Sequence, residues 1–406
     1  MSEVYPTLTA LFTDIADAIR ETTGDTDLII ADDFPDVIRD SLQVKSYLTF
    51  KSPSSFTLKV NDTTKHWNGT LEYSTNASTW TTWDGTTTLS SATKGSNNIL
   101  YLRGTGNTVI TGNSNNYKWI LTGSNIKCIG NIENLLDYAT VEAGNHPTMA
   151  SYCYSLMFLG CTALTQAPEL PATTLAESCY SFMFDGCTAL TQAPALPATT
   201  LAPYCYKSMF QGCTGLTQAP ALPATTLAAY CYQSIFQGCK SLTQAPVLPA
   251  TTLATSCYRN MFDGCTALTQ APALPATTLA NICYFYMFSE CTSLTKAPTL
   301  PATTLASECY SNMFSGCISL TQAPALPATT LADYCYYYMF NSCTSLKLST
   351  TKTGEYTVAY RIPSSETGTT ATDALTNMFA YTGGTFKGTP EINTTYYLSN
   401  TNMVVS

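Results

Sequence analysis

Histidine and charge are what this chain has least of, and their scarcity excludes whole classes of function. Two histidines, His66 and His146, stand among 406 residues, of which 11% are charged. Imidazole-based metal sites and acid–base pairs are therefore poorly served. No phosphate-binding loop, dinucleotide fingerprint, zinc-protease motif or nucleophile elbow is present. A hydrolase would have to draw paired carboxylates from separate loops, and nothing in the spacing pairs them. The sequence assigns no catalytic residue, metal ligand or cofactor, and a non-enzymatic function is expected. Lys and Arg total 18 against 27 Asp and Glu, a net charge of -9 with no basic run, so no nucleic-acid partner is expected. Apolar windows are broken by Thr, Pro or Gly every few residues, and membrane insertion is not expected either. The first residues, Met1-Ser2-Glu3-Val4-Tyr5-Pro6, show no basic or apolar leader segment, from which synthesis and folding in a cytoplasm are expected.

Cysteine, by contrast, is abundant, and its placement reveals the organisation of the chain. Eight tandem copies of a 26-residue unit run from about Ala150 to Leu346, with successive starts at Cys153, Cys179 and Cys205 (179 − 153 = 205 − 179 = 26) and on to Cys335. Each copy has a Cys-Tyr pair, a Met-Phe pair (Ile-Phe in one) and a second Cys, as in Cys179, Tyr180, Met183, Phe184 and Cys187. A fixed period of this size specifies a stacked array, not a single globule. Sixteen of the 17 cysteines fall at these positions, and Cys128 lies just upstream. Buried Cys acts as a small hydrophobe, so the array accounts for them as stacked, reduced thiols. Disulfides and metal ligation compete with that reading. Metal is disfavoured because no repeat contains His and the spacing fits no common zinc pattern.

Within one unit, Ala176, Cys179, Tyr180, Met183, Phe184 and Cys187 follow i, i+3, i+4, i+7, i+8, i+11, which predicts a short helix with one buried face. Thr173 or Thr174 would cap its start, and Gly186 would end it. The preceding Leu164-Thr165-Gln166-Ala167 reads as a very short strand that stops at Pro168, after which Leu170 and Leu175 turn inward. This unit resembles the BspA-like class of leucine-rich repeats through Cys161, Leu164, Leu170, Pro171, Leu175, Met183, Phe184 and Cys187. The resemblance implies a mixed α/β repeat solenoid with one short parallel strand and one short helix per rung. At about 4.8 Å per rung, eight rungs would span on the order of 40 Å. Ala167 and Pro168 depart from the class and predict a narrower sheet.

Four segments are expected. Residues 1–43 form a helical anchor, with Leu8, Leu11, Phe12, Ile15 and Ile19 as an apolar stripe and Val37, Ile38 and Leu42 on a second helix. Residues 44–127 alternate short apolar runs with turn residues, the pattern of a small antiparallel sandwich, and its four tryptophans, Trp67, Trp80, Trp83 and Trp119, are read mainly as core. Residues 128–346 are the solenoid with an N-terminal cap near Ile132, Leu135 and Leu136. Residues 347–406 are a degenerate capping repeat in which Ala371, Ala374, Leu375, Met378 and Phe379 keep the helix spacing, and Phe386, Thr389, Pro390 and Ile392 echo the strand half. The segment Leu11 to Glu21, with Thr23-Gly24 and Phe34 to Arg39, resembles the N-terminus of phage tail proteins. That resemblance implies residence in a virion tail and contact with other tail or baseplate proteins through residues 1–43.

Positions between the fixed pairs vary, and they carry the functional expectation. Phe285, Tyr286, Tyr334, Tyr337 and Tyr338 gather in late copies, with Tyr204 and Tyr230 earlier, at places the periodicity puts on the outer face. Drift on a solvated face is the plain explanation, and an aromatic recognition surface is the sharper one. Opposite them runs a Thr/Gln ladder broken by Lys296, a second candidate surface for a glycan. The sequence is read as a phage tail-associated adhesin whose solenoid contacts a glycan or protein receptor on bacteria. A homo-oligomer such as a trimer is left open. The alternatives are a bacterial cell-surface adhesin of the same repeat class and a purely structural spacer.

Overall fold

In the computed structural model, residues 47–62, 64–363, 369 and 371–405 are described. The expected helices of residues 1–43, with the tail-protein resemblance they carry, lie outside the described residues. Strands β1 (Leu48–Ser52), β2 (Thr57–Val60), β3 (Thr70–Ser74), β4 (Thr81–Thr82), β5 (Leu89–Ser90), β6 (Ala92–Lys94), β7 (Asn97–Thr105), β8 (Trp119–Thr122) and β9 (Ile126–Ile129) precede α1 (Asn134–Glu142). Strand β10 (Leu164–Gln166) belongs to the first repeat. One sheet runs β10-β9-β1-β7-β3-β4, with β6 also on β7, and a second runs β5-β2-β8. Trp67, Trp83 and Trp119 are buried in the core, and Trp83 meets Trp119 edge-on at 5.5 Å. Trp80 remains partly exposed beneath the Arg103 guanidinium, 4.2 Å from its ring.

The helix expected in each repeat is absent, which corrects the mixed α/β reading. Among the described residues α1 is the single α-helix, and no helix is long and apolar enough to cross a membrane. Each rung instead carries a ribbon of consecutive tight turns. Cys179, Ser181, Met183, Asp185 and Cys187 donate backbone N–H bonds three residues back, to Ala176, Ser178, Tyr180, Phe182 and Phe184. The alternate residues Ser178, Tyr180, Phe182, Phe184 and Gly186 donate to the next rung, at Pro203, Cys205, Lys207, Met209 and Gln211, over 2.8 to 3.0 Å. All ten N–H groups from Ser178 to Cys187 are thereby used, half within the rung and half between rungs.

The reason for the difference is thickness. Packed α-helices need 8–10 Å between axes, whereas hydrogen-bonded strands repeat at about 4.8 Å. A stack whose strand half repeats near 5 Å therefore favours an equally thin second half. Ring spacings show that thinness: Phe158, Phe184, Phe210 and their successors stack nearly parallel at 5.5 to 6.0 Å, ending on Phe379. A parallel tyrosine ladder runs from Tyr154 to Tyr336. Cys179, Tyr180, Met183, Phe184 and Cys187 are fully buried, as expected of the core set, and Leu170 and Leu175 point inward. On the strand side only β10 is a full strand. Later copies keep single bridges such as Gln192 to Gln218 and Lys296 to Gln322, and Thr174 to Thr200 bridges the crossing.

Because each rung donates to the one after it, the first rung is left with carbonyls and the last with N–H groups. Residues 110–126 satisfy the first set: Ile110 donates to Cys153 O at 2.9 Å, Trp119 to Met157 O at 2.8 Å and Ile126 to Ala163 O at 2.9 Å. Strand β9 crosses the expected 127/128 boundary and pairs in parallel with β10, and a single core runs from Leu48 to Leu398. At the far end, Tyr336, Tyr338 and Phe340 donate to Ala374, Thr376 and Met378 of a degenerate rung. Its Ala374, Leu375, Met378 and Phe379 are buried in the Cys, Tyr, Met and Phe places. Its strand is not at Phe386. Strand β11 (Lys347–Ser349) pairs instead with β13 (Gly383–Gly384), and β12 (Tyr356–Arg361) and β14 (Thr395–Ser399) complete a four-stranded sheet. The rung's own N–H groups end on a loop, Phe379 on Gly388 O at 2.9 Å and Asn377 on Thr389 Oγ1 at 2.8 Å.

Candidate functional site

The turn ribbon needs a left-handed backbone at every fourth residue, and this organises the outer face. In the second copy the three places are Ser178 (φ 54°), Phe182 (φ 55°) and Gly186 (φ 73°). A side chain with a Cβ costs roughly 1–2 kcal/mol in that conformation, which glycine avoids. The third column follows this rule, with Gly160, Gly186, Gly212, Gly238, Gly264 and Gly316 in six copies and Glu290 and Ser342 in two. The first two columns do not. Tyr204 (φ 59°), Tyr230 (φ 59°), Tyr286 (φ 54°), Tyr334 (φ 56°) and Tyr338 (φ 51°) place large rings where small residues would be less strained.

The expected recognition residues thus sit on an outer turn face, not a helix face, and they form separate groups. Tyr204 and Tyr230 stack at 4.6 Å and 8°. Phe285 and Tyr286 meet edge-on at 4.5 Å, with the Arg259 guanidinium 5.2 Å from the Phe285 ring. Tyr337 touches Tyr338 at 4.5 Å and Tyr334 at 5.5 Å. Of these seven only Tyr334, at 36%, is exposed, and the other six are half-buried. The last group also leans on the C-terminal rung. Asn377 Nδ2 donates to Tyr338 Oη at 2.8 Å, and the Asp373 carboxylate beside Tyr334 raises its phenol pKa. Lys296 is exposed on the opposite face, apart from all of them.

Depressions lie on both the Thr/Gln face and the turn face of the described residues. A shallow one of about 370 Å³ lies on the Thr/Gln face between Thr243-Gln244 and Thr269-Gln270. A larger groove of about 590 Å³ lies where the loop of Asn113 and Asn115 meets the turn face of the first three rungs. Its lining includes Tyr152, Phe182, Asp185, Tyr204 and Lys207. The Lys207 ammonium sits 5.5 Å from both the Phe182 and Tyr204 rings. Burial lifts the Asp185 carboxyl from its usual range to about 6. Sequence reasoning reaches Phe182 only as one of the variable outer positions and does not reach Asp185 or Lys207. The signal was their spacing: Phe182 holds a left-handed position, and Asp185 and Lys207 fall on neighbouring rungs of the same face.

The thiols serve the scaffold. All 17 cysteines are unpaired and buried, and the second Cys of a copy donates its S–H to the preceding rung's Phe carbonyl, as from Cys187 Sγ to Phe158 O at 3.1 Å. Burial pushes Cys161 up to about 11 and Cys205 to about 12. Thiolate chemistry is suppressed at such values. Among the described residues no group of three His, Cys, Asp or Glu is placed to hold a metal ion.

The profile of the BspA type leucine-rich repeat region matches residues 140–269 and 255–361, in six copies. No curated protein matches the chain, and no solved structure does. The matched residues make up more than half of the sequence and contain the eight regular rungs of the stack, so the chain belongs to the BspA-type leucine-rich repeat family.

Proposed function

We propose that this protein is a non-catalytic adhesin that binds a bacterial surface receptor, a glycan or a protein, through the outer turn face of its rungs. The family assignment indicates a surface adhesin-like repeat protein. The observation that carries the proposal is the gathering of rings on that face: Tyr204 with Tyr230, Phe285 with Tyr286, and Tyr337 with Tyr334 and Tyr338. Tyr among Ser and Asn is the composition of adaptable recognition surfaces. A narrower reading, attachment of a phage tail to its host through residues 1–43, rests on the N-terminal resemblance alone, and no comparison supports it.

The test is binding of fluorescently labelled full-length protein to bacterial cells. Changing Phe285 and Tyr337 together to Ser leaves the Tyr338–Asn377 bond intact and should cut cell binding while the thermal midpoint stays close to wild type. Unchanged binding in the folded double variant would refute the turn-face assignment and move the search to the Thr/Gln face around Lys296.

A further inference from the structure

The first turn-face column has rings at Tyr152, Tyr204, Tyr230 and Tyr334 and smaller or aliphatic residues at Ser178, Ser256, Ile282 and Glu308. In its first four rungs it reads Tyr152, Ser178, Tyr204, Tyr230, and where two tyrosines are adjacent they stack at 4.6 Å. Ser178 therefore leaves a place one rung wide between Tyr152 and Tyr204, which stand two rungs apart, roughly 10 Å at strand-like spacing. That separation fits one flat ring with an aromatic contact on each side. The left-handed backbone is no obstacle to a tyrosine at 178, because Tyr204 and Tyr230 adopt the same conformation.

The surroundings of the gap carry both rings and charged groups. Ser178 lies buried at the bottom of the 590 Å³ groove, while Tyr152, Phe182, Tyr204, Asp185 and Lys207 are half-buried around it. Among the described residues the Asp185 carboxylate and the Lys207 ammonium have no ion-pair partner, and the Asp185 side chain donates or accepts no hydrogen bond to or from another residue. The half-buried Asp185 carboxylate keeps contact with solvent, and ligand hydroxyls can take the place of that water. A pyranose ring suits both kinds of group, with C–H faces for the tyrosines and hydroxyls at its edge for Asp185 and Lys207. An aromatic peptide side chain would fill the gap but leave the charged edge unpaired. The volume lies within the usual range of small-ligand sites.

We propose that this groove is a carbohydrate-binding site in which one pyranose ring inserts at Ser178 and flanking sugars lie along the turn face. It is separate from the late aromatic groups but shares Tyr204 and the turn face with the adhesin reading, which it deepens by naming a sugar ring as ligand. The experiment titrates full-length protein with chitotriose, cellotriose, mannotriose and N-acetyllactosamine by calorimetry and saturation-transfer NMR. At least one should bind, and Ser178→Tyr, which fills the gap, should weaken it by about tenfold or more. Asp185→Asn should weaken it as well, and Tyr337→Ser should leave it unchanged. Absence of binding by every probe overturns the proposal. So does unaltered affinity in a Ser178→Tyr protein whose circular dichroism matches wild type. If Phe285 and Tyr337 substitutions abolish cell binding while no sugar binds, this inference falls and the adhesin reading stands.

Discussion

Replacing Ser256 distinguishes a turn ribbon from a helix by the sign of a stability change. Ser256 is fully buried at φ 53°, and its hydroxyl has no hydrogen-bond partner among the described residues. Its backbone N–H donates to Asn281 O at 3.1 Å, a bond that alanine and glycine both retain. Ser256→Ala removes the unsatisfied hydroxyl and should stabilise by about 1 kcal/mol, the low end of the cost of such a group. Ser256→Gly also relieves the left-handed strain, about 1–2 kcal/mol, against a chain-entropy cost of about 0.5–1 kcal/mol. Glycine should thus be more stable than alanine by about 0.5–1 kcal/mol. In a helix the order reverses, with glycine about 1 kcal/mol less stable than alanine. Urea denaturation of the full-length variants, compared at equal slope, measures the difference. An alanine variant more stable than the glycine variant would refute the turn geometry.

Further outcomes follow from the same stack. Phe262 lies between Phe236 at 5.8 Å and Phe288 at 5.7 Å, so Phe262→Ala should cost about 3–5 kcal/mol in denaturant unfolding. A loss below 1 kcal/mol would contradict the ladder. Native protein should resist thiol alkylation and label at all 17 cysteines once denatured, and early labelling of the repeat thiols would show that the rungs open readily. The Asp185 carboxyl has a folded pKa near 6, above its unfolded value of 3.8. The folded state therefore holds the proton more tightly, and its stability contribution, present below pH 4, fades as pH rises through 6. Asp185→Asn should remove that slope from thermal midpoints measured between pH 4 and 7, and an unaltered slope would place its cause elsewhere.

Much of the scaffold was legible because repetition multiplies weak signals. Cys179, Tyr180, Met183, Phe184 and Cys187 are the buried set, and Ala374, Leu375, Met378 and Phe379 occupy their places in the final rung. The expected helix fails because a two-in, two-out pattern of period four and a helical stripe of period 3.6 coincide over twelve residues. What separates them is not apolar spacing but the left-handed requirement at Ser178, Phe182 and Gly186, visible in sequence only as recurrent Gly at the third place. The groove was hidden because its parts, Tyr152, Ser178, Phe182, Asp185 and Lys207, come from three rungs and meet only when the rungs stack. The periodicity places Tyr338 on the outer face, yet its hydroxyl is held by Asn377, a partner 39 residues away that no local pattern could supply.

Contact between the turn face and the receptor can be measured directly. A photo-crosslinking amino acid placed at Tyr337 of the full-length protein, and separately at Gln244 on the Thr/Gln face, reports which surface touches bound cells. The adhesin account predicts a covalent adduct with a bacterial surface molecule from position 337 and none from 244. Adducts from 244 alone, or none from 337 while the protein remains bound, would contradict it.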